Sequence, residues 1–298
     1  MKNYGETIRT IRLKKNMPQK VLYQDILSKS YAIRLEQGKH DISFYLLLKI
    51  LVRFPMEIDE FLYIHQNYQE SETEWFYEEF SKRGNQTDST ALFSLKEHYL
   101  KTYTEHSADH PWKLQLDARL DQLVYYQETN KLTKDSVSLQ TTTKIKQTLS
   151  SIQSWTIEDF RFFANTLDLL DSTDRVLYFQ SILPAMDRYK NFEKARNVIC
   201  VLLVNAIHEL IEDFHIEGVP ALLTTLYDFS DKAHQMFFRN YYHFYLGLWQ
   251  ILTNHPNGEK KARAAIELLK QMDYHYHTEI LTLTLTRTLR QKETNSTD

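Results

Sequence analysis

Cysteine is almost absent from this sequence, since Cys200 is the only one in 298 residues. A single cysteine excludes an internal disulfide framework and is typical of proteins from a reducing compartment. No apolar run approaches the ~20 residues that a membrane-spanning helix needs, and the N-terminus carries no apolar signal-peptide core. These absences predict a cytoplasmic location and no membrane partner.

Glycine and proline are also scarce, with six of each. Turn-rich all-β sandwiches and doubly wound folds with glycine phosphate loops are therefore unexpected. What is present is 42% hydrophobic residues, 25% charged residues, 19 Tyr and 16 Phe. This balance is typical of a globular chain, and aromatic side chains suit helix–helix cores and ligand grooves. We predict an all-α protein.

Charge is distributed unevenly along the chain. Residues 1–66 hold 11 Lys and Arg against 7 Asp and Glu, whereas the rest holds 25 against 32. A basic module attached to a larger acidic one suggests a polyanionic partner at one end only. The alternative is an ordinary solvated helix face with surplus lysines.

The first 66 residues have the pattern of five short helices. Apolar residues recur at helical spacing, and we expect helices near 4–15, 18–24, 28–37, 41–54 and 58–64. Pro18 suits the first turn of the second helix and Ser28 the N-cap of the third. Gly38 suits a left-handed stop at the end of the third helix.

From Glu70 onward, short polar turns separate longer amphipathic segments. We expect helices near 72–83, 88–106, 111–130, 134–152, 156–170, 173–189, 191–213, 217–229, 231–253, 257–272 and 275–291. Helix pairs recur about every 35–42 residues, the period of an α-solenoid of tetratricopeptide-like helix pairs. The predicted domains are 1–66 and 73–298, with a linker at 67–72.

One specific motif lies between Gln19 and Gly38. It resembles the helix-turn-helix of phage-repressor-like regulators and, more closely, the N-terminal domain of the Rgg/GadR/MutR regulators of Gram-positive bacteria. In that family a Gln-x-x-Leu helix precedes a Ser-Lys-Ser helix that ends in an Arg, an apolar residue and Glu-x-Gly. Nine positions match: Gln19, Leu22, Ser28, Lys29, Ser30, Arg34, Leu35, Glu36 and Gly38.

Three positions depart from the family pattern. Asp25 stands in the turn where glycine is common, although Asp tolerates left-handed backbone better than most residues. Ala32 and Ile33 replace a frequent Ile-Ser pair, so the sequence does not determine which face of the third helix packs inward. Gln37 stands at a position that is often basic, which removes one phosphate contact.

A recognition helix presents its N-terminal residues and one stripe to base edges in the major groove. Lys29, Ser30 and Arg34 have the spacing of such a stripe, with Tyr31 at its flank. Other residues are candidates for phosphate contacts: Gln19, through its side chain and the backbone donors at its helix start, and Arg9, Lys20 and Lys39. Arg12 and Glu36 hold positions that form a structural ion pair in such domains.

The helical repeats predict a groove suited to an extended peptide. Asn side chains can pair with peptide amides, Arg can bind a carboxylate, and aromatic rings form apolar pockets. The candidate residues are Arg161, Asn165, Arg175, Tyr178, Asn205, His208, Tyr241, Tyr242 and Tyr245. Among them, Asn205 resembles an Asn that peptide-sensing relatives place on an inner helix.

The resemblance implies a homodimeric transcriptional regulator that binds double-stranded promoter DNA and a short signalling peptide of the quorum-sensing type. The peptide would alter promoter occupancy or the recruitment of RNA polymerase. The alternative is a protein-interaction scaffold with a vestigial DNA-binding module. No cofactor and no enzymatic activity are expected, because neither His208 with His215 nor His275 with His277 has the set of partners that a metal site requires.

Overall fold

The computed structural model describes residues 3–131 and 133–295. Within these residues all regular structure is helical, with sixteen α-helices, four short 3-10 helices and no strand. The chain divides into two compact units, Met1–Lys82 and Arg83–Asp298, called here the N-terminal and C-terminal units. The all-α prediction is confirmed.

Five short helices build most of the N-terminal unit. They are α1 (Tyr4–Lys14), α2 (Gln19–Tyr23), α3 (Lys29–Glu36), α4 (Phe44–Arg53) and α5 (Ile58–His65), followed by α6 (Glu72–Gly84). Their apolar faces meet in one core whose most deeply buried members are Ile8, Leu22, Leu35, Ile50, Phe54 and Phe61. The five-helix prediction for the start of the chain is confirmed.

The C-terminal unit is a succession of packed helix pairs. Its α-helices are α7 (Thr90–Thr102), α8 (Pro111–Thr129), α9 (Leu139–Ser150), α10 (Ile157–Thr166), α11 (Ser172–Asp187), α12 (Glu193–Glu212), α13 (Val219–Phe229), α14 (Met236–Leu252), α15 (Gly258–Gln271) and α16 (His275–Asn295). Short 3-10 helices cover Lys134–Ser136, Leu167–Leu169, Ile216–Gly218 and Ala233–Gln235. Neighbours along the chain, such as α12 with α13 and α14 with α15, pack against each other as solenoid repeats do.

One predicted helix is interrupted by a long-range contact. The segment 156–170 has a single helical pattern, but α10 ends at Thr166 and a 3-10 turn follows. The Nε of Arg175 donates to the carbonyl of Leu167 over 3.0 Å. The same carbonyl also accepts from the Leu170 backbone N–H over 3.2 Å, so the turn after α10 leaves no unpaired acceptor at Leu167.

Helix ends in this glycine-poor chain rely on Asn and Asp. Asn16, Asn130, Asn254 and Asp273 all have positive φ just after a helix. These residues adopt the left-handed conformation more readily than other non-glycine residues, because their short polar side chains hydrogen-bond locally. The scarcity of glycine therefore does not prevent tight helix–helix turns.

Three of the six glycines are required by close helix packing: Gly5, where a Cβ would lie 1.9 Å from the Leu35 carbonyl oxygen, and the pair Gly247 and Gly258. A Cβ on Gly247 of α14 would lie 2.7 Å from the Ala262 nitrogen and 2.8 Å from the Gly258 carbonyl oxygen of α15. A Cβ on Gly258 would lie 2.6 Å from the Ile251 nitrogen. The two backbones are therefore in direct contact, which no larger residue permits without a shift.

Candidate functional site

The helix pair α2 and α3 forms as the motif predicts. Asp25 takes φ of +60° in the turn, and the Ser28 side chain accepts a hydrogen bond from the Tyr31 backbone N–H at the start of α3. Gly38 follows α3 with φ of +70°. The departure at Asp25 is therefore accommodated by the same backbone conformation that glycine would provide.

Glu36 is the centre of a buried polar network. Its carboxylate accepts hydrogen bonds from Arg12 Nε and Nη2 at 2.6 and 2.8 Å, from Gln19 Nε2 at 2.7 Å and from the Tyr23 hydroxyl at 2.8 Å. Burial alone would raise the pKa of Glu36, but the hydrogen bonds from Arg12, Gln19 and Tyr23 outweigh it and lower the pKa. The predicted structural ion pair between Arg12 and Glu36 is confirmed.

This network corrects the orientation expected for Gln19. Its side-chain amide was expected to face phosphate, but the structure commits that amide to Glu36. At the start of α2 the backbone N–H groups of Gln19 and Lys20 have no hydrogen-bond partner among the described residues, so they remain as donors for a phosphate. Tyr23 was not singled out from the sequence, since an apolar-facing tyrosine gives no signal of a buried hydroxyl partner.

The other candidate DNA-contacting residues are on the surface of the N-terminal unit. Arg9, Lys20, Lys29, Ser30, Arg34 and Lys39 are exposed, and none of these five cations forms an ion pair with another described residue. Lys20, Lys29 and Gln19 line one depression of about 330 Å³ between α2 and α3. Tyr31 is half-buried, and its hydroxyl donates to the Asp41 carbonyl over 2.7 Å.

The C-terminal unit contains a cavity of about 360 Å³, called here the tyrosine cavity. Its walls come from α8, α10, the Leu167–Leu169 turn, α12, α14 and α16. The lining residues are Arg119, Ala164, Leu167, Asp168, Val204, Asn205, His208, Glu209, Tyr241, Tyr245, Tyr276, His277 and Ile280. The combination of apolar walls with a few converging polar groups is typical of a ligand site.

Four of the nine candidate peptide-binding residues line this cavity, namely Asn205, His208, Tyr241 and Tyr245. Asn205 Nδ2 donates to the Ala164 carbonyl over 3.3 Å, and its Oδ1 has no hydrogen-bond partner among the described residues. The Nδ1 of His208 is buried and likewise unpartnered in the described chain. Asn205 Oδ1 is therefore an acceptor available to a ligand, whereas His208 Nδ1 is enclosed and accepts only when the proton is on Nε2.

The structure places the other five candidates elsewhere, because each is committed to the packing of its own helices. Arg175 is buried, with its guanidinium on Glu209 and Asp213 at 3.0 and 2.6 Å. The guanidinium that was a candidate for binding a peptide carboxylate is therefore already paired within the fold.

The remaining four have partners of their own. Arg161 lies 3.5 Å from Glu158, and Asn165 donates to Gln115 over 2.7 Å. Tyr178 donates to the Lys146 carbonyl. Tyr242 lines a separate groove on α13 and α14 with Tyr227 and Trp249.

Nine cavity residues were not among the candidates from the sequence: Arg119, Ala164, Leu167, Asp168, Val204, Glu209, Tyr276, His277 and Ile280. Glu209 had a usable signal, because it shares a helix face with Asn205 at a spacing of four residues. Arg119 and Asp168 had none, since they reach the cavity from α8 and from the 3-10 turn. Which distant elements converge is decided by the tertiary packing.

Burial governs the charge states in the tyrosine cavity. It raises the pKa of Glu209 to about 7; Arg175 opposes this shift, whereas Asp168, Asp213 and Glu212 add to it. Burial also lowers the pKa of His208, so this imidazole is neutral at physiological pH. The Tyr241 hydroxyl and His277 Nδ1 are 2.7 Å apart.

The described residues contain neither a membrane-spanning helix nor a metal-binding cluster. No helix among residues 3–131 and 133–295 is long and apolar enough to cross a membrane. No group of three or more His, Cys, Asp or Glu side chains in the same residues is placed to hold a metal ion.

Comparison with known proteins identifies the family. Residues 94–281, more than half of the chain, match the model of the HTH-type transcriptional regulator Rgg, C-terminal domain. A crystal structure of a protein from Listeria monocytogenes EGD-e is 27% identical with a TM-score of 0.88, covering 97% of this chain and 98% of that one.

Two further solved structures share the fold at lower identity. The Streptococcus dysgalactiae SHP pheromone receptor Rgg2 is 17% identical with a TM-score of 0.75, covering 96% of this chain and 99% of that one. A PrgX/cCF10 complex is 17% identical with a TM-score of 0.70, covering 95% of this chain and 98% of that one. Together with the family match, this shared architecture shows that the chain belongs to the Rgg family of helix-turn-helix transcriptional regulators.

Proposed function

We propose that this regulator binds promoter DNA as a homodimer through its N-terminal unit and senses a short signalling peptide in the tyrosine cavity. The Rgg family match carries the proposal, and the similarity to the SHP pheromone receptor Rgg2 supports the sensing step. In this proposal residues 1–66 form the DNA-binding domain and residues 73–298 the domain that binds the peptide and dimerises. Residues 67–72 are the linker between them. The protein acts in the cytoplasm and has no enzymatic activity.

The exposed cations on α3 support the DNA-binding role. Lys29 and Arg34 are exposed on the helix that follows the turn, and neither is engaged in an ion pair with a described residue. Lys and Arg donate to guanine O6 and N7 in the major groove. A monomer of this kind reads only one half-site, so a two-fold dimer reads two half-sites about one helical turn apart.

Replacement of Arg34 tests this role. We expect Arg34→Ala to cost about 1–3 kcal/mol on a duplex selected by the wild-type protein and to flatten its sequence preference. Lys20→Ala is the matched comparison, because a phosphate contact weakens selected and scrambled duplexes alike. Both are measured by fluorescence anisotropy at fixed salt. Equal losses on both duplexes for Arg34→Ala would remove Arg34 from base readout.

The free acceptors in the tyrosine cavity support the peptide-binding role. Asn205 Oδ1 and His208 Nδ1 have no partners in the described chain, although both residues lie in a partly buried position. Buried polar atoms are normally hydrogen-bonded. Peptide backbone N–H groups are donors of the right kind, and the tyrosine and aliphatic walls suit apolar side chains.

Affinity selection from a random octapeptide pool tests whether a peptide binds at all. We expect the full-length protein to enrich apolar sequences, and Asn205→Ala to weaken the selected peptide about 5- to 150-fold. Arg161→Ala is the comparison, because Arg161 does not line the cavity. Failure to enrich any peptide would favour the scaffold alternative, in which the repeats bind a partner protein.

A further inference from the structure

Asp168 is a partly buried carboxylate that lacks a counter-ion. It lines the tyrosine cavity, and its Oδ2 accepts a hydrogen bond from the neutral Gln122 amide over 2.8 Å. No Lys, Arg or His among the described residues forms an ion pair with it. A carboxylate withdrawn from water normally has a paired cation. Among the described side chains the charge of Asp168 is therefore uncompensated, and the carboxylate faces a cavity that a ligand cation can enter.

The neighbouring charges do not supply it. Arg175 is the nearest buried cation, but it is shared between Glu209 and Asp213. Arg119 lines the same cavity and forms no ion pair with Asp168 or Glu209. Acidic groups therefore outnumber basic ones around Arg175, and the raised pKa of Glu209 follows from burial, with added repulsion from Asp168, Asp213 and Glu212.

The uncharged groups around Asp168 also suit a cation. Tyr241, Tyr245 and Tyr276 line the cavity, and tyrosine rings attract ammonium and guanidinium groups. His208 is kept neutral by burial, and its unpartnered Nδ1 is an acceptor for an N–H donor when the proton is on Nε2. A carboxylate, aromatic rings and a neutral imidazole thus converge on one cavity.

We propose that the tyrosine cavity binds a positively charged group of the signalling peptide on Asp168, with the tyrosine rings around it. This inference rests on the proposed peptide-sensing function and adds a charge requirement to it. The cation is either the peptide's amino terminus or a Lys or Arg side chain. Arg119, at the same cavity, disfavours the binding of a second cation and leaves a position for a peptide carbonyl or carboxylate.

Selection with two random octapeptide pools tests the charge requirement and its source. One pool has free amino termini and the other is acetylated. Full-length wild-type protein is expected to enrich Lys and Arg from the acetylated pool if the side chain is the cation. If the amino terminus is the cation, the wild-type protein is expected to enrich peptides from the pool with free amino termini and none from the acetylated pool.

Matched variants assign the effect to Asp168. Asp168→Asn keeps an acceptor for Gln122 but removes the charge, and we expect it to weaken the selected peptide about 10- to 100-fold. Asp168→Glu should restore part of the affinity. Glu217→Gln removes an exposed carboxylate that does not line the cavity, and it should leave affinity unchanged. Circular dichroism and thermal melting establish that each variant is folded.

The possible failures are distinguishable. Enrichment of uncharged peptides, or equal affinity of wild type and folded Asp168→Asn for a cationic peptide, would overturn the charge requirement while leaving the peptide receptor intact. Absence of enrichment from both pools would overturn the proposed peptide sensing itself, and the charge requirement with it.

Discussion

At the scale of the residue, Glu36 joins three helices of the N-terminal unit through one carboxylate. Arg12 comes from α1, while Gln19 and Tyr23 come from α2, and all three donate to it. Glu36→Ala leaves the Arg12 guanidinium buried without its partner, which typically costs about 3–5 kcal/mol. We expect hydrogen exchange of the α1–α5 amides in the full-length variant to accelerate accordingly. Native exchange with lost DNA affinity would instead assign Glu36 to the DNA contact.

The lowered pKa of Glu36 gives this effect a pH dependence. Because the folded-state pKa lies below the unfolded value, the contribution to stability is complete above the unfolded pKa of about 4.3. It is lost as pH falls through the folded-state pKa. Gln19→Ala removes one of the donors, so it should both reduce stability and shift this loss toward higher pH.

Glu209 should show the opposite pH dependence. Its folded-state pKa of about 7 lies above the unfolded value, so the folded protein binds the extra proton between the two. Its contribution is complete below the unfolded pKa and is lost as pH rises through 7. Glu209→Gln should therefore be more stable than wild type at pH 8, by an amount on the order of 2–3 kcal/mol.

The measurement for Glu209 is the difference in melting temperature between wild type and Glu209→Gln from about pH 5 to 8. Comparison of the two proteins cancels the titration of every other group. Arg175 keeps Asp213 as a partner in the variant, so no buried cation is orphaned. A difference that does not change with pH would contradict the raised pKa.

At the scale of the element, the contact between α14 and α15 depends on two glycines. An alanine in the middle of a helix normally gains about 1 kcal/mol over glycine. At Gly247 we expect the reverse, because the added Cβ would lie under 3.0 Å from two backbone atoms of α15. Gly247→Ala should destabilise the C-terminal unit by about 1–3 kcal/mol.

Gly84→Ala is the control for this packing argument. A Cβ at Gly84 of α6 meets only the flexible Arg119 side chain, at 3.4 Å. Denaturant unfolding of both variants gives the comparison. If the denaturant midpoint of Gly247→Ala equals that of the wild type, α14 and α15 can move apart with no loss in the free energy of unfolding.

At the scale of the whole molecule, α4 carries a surface that supports the proposed homodimer. Phe44, Tyr45, Leu48 and Val52 lie on one side of the helix, and Val52 is 78% exposed. A contiguous exposed apolar row is typical of an interaction surface. We expect Val52→Lys to shift the monomer–dimer equilibrium toward monomer in sedimentation and to weaken operator binding, because α4 then adds to the dimer contact proposed for residues 73–298.

Leu139→Lys provides the control for the dimer test, because Leu139 is 83% exposed at the start of α9. This variant should leave the sedimentation mass unchanged. A dimer that persists in Val52→Lys would place the self-association surface outside α4.

The amino-acid sequence by itself determined the helical class, the five-helix start of the chain and the turn at Asp25, because apolar spacing and cap residues act over a few positions. The Arg12–Glu36 pair followed from motif positions. Tertiary structure alone decided that Gln19 turns inward, that α10 stops at Thr166 and that Arg175 is used within the fold. It also brought Arg119 and Asp168 together with Tyr276 from distant helices. Such convergence depends on how whole helices pack against each other. No local sequence pattern determines the crossing angle of two helices or how deeply a side chain is buried between them.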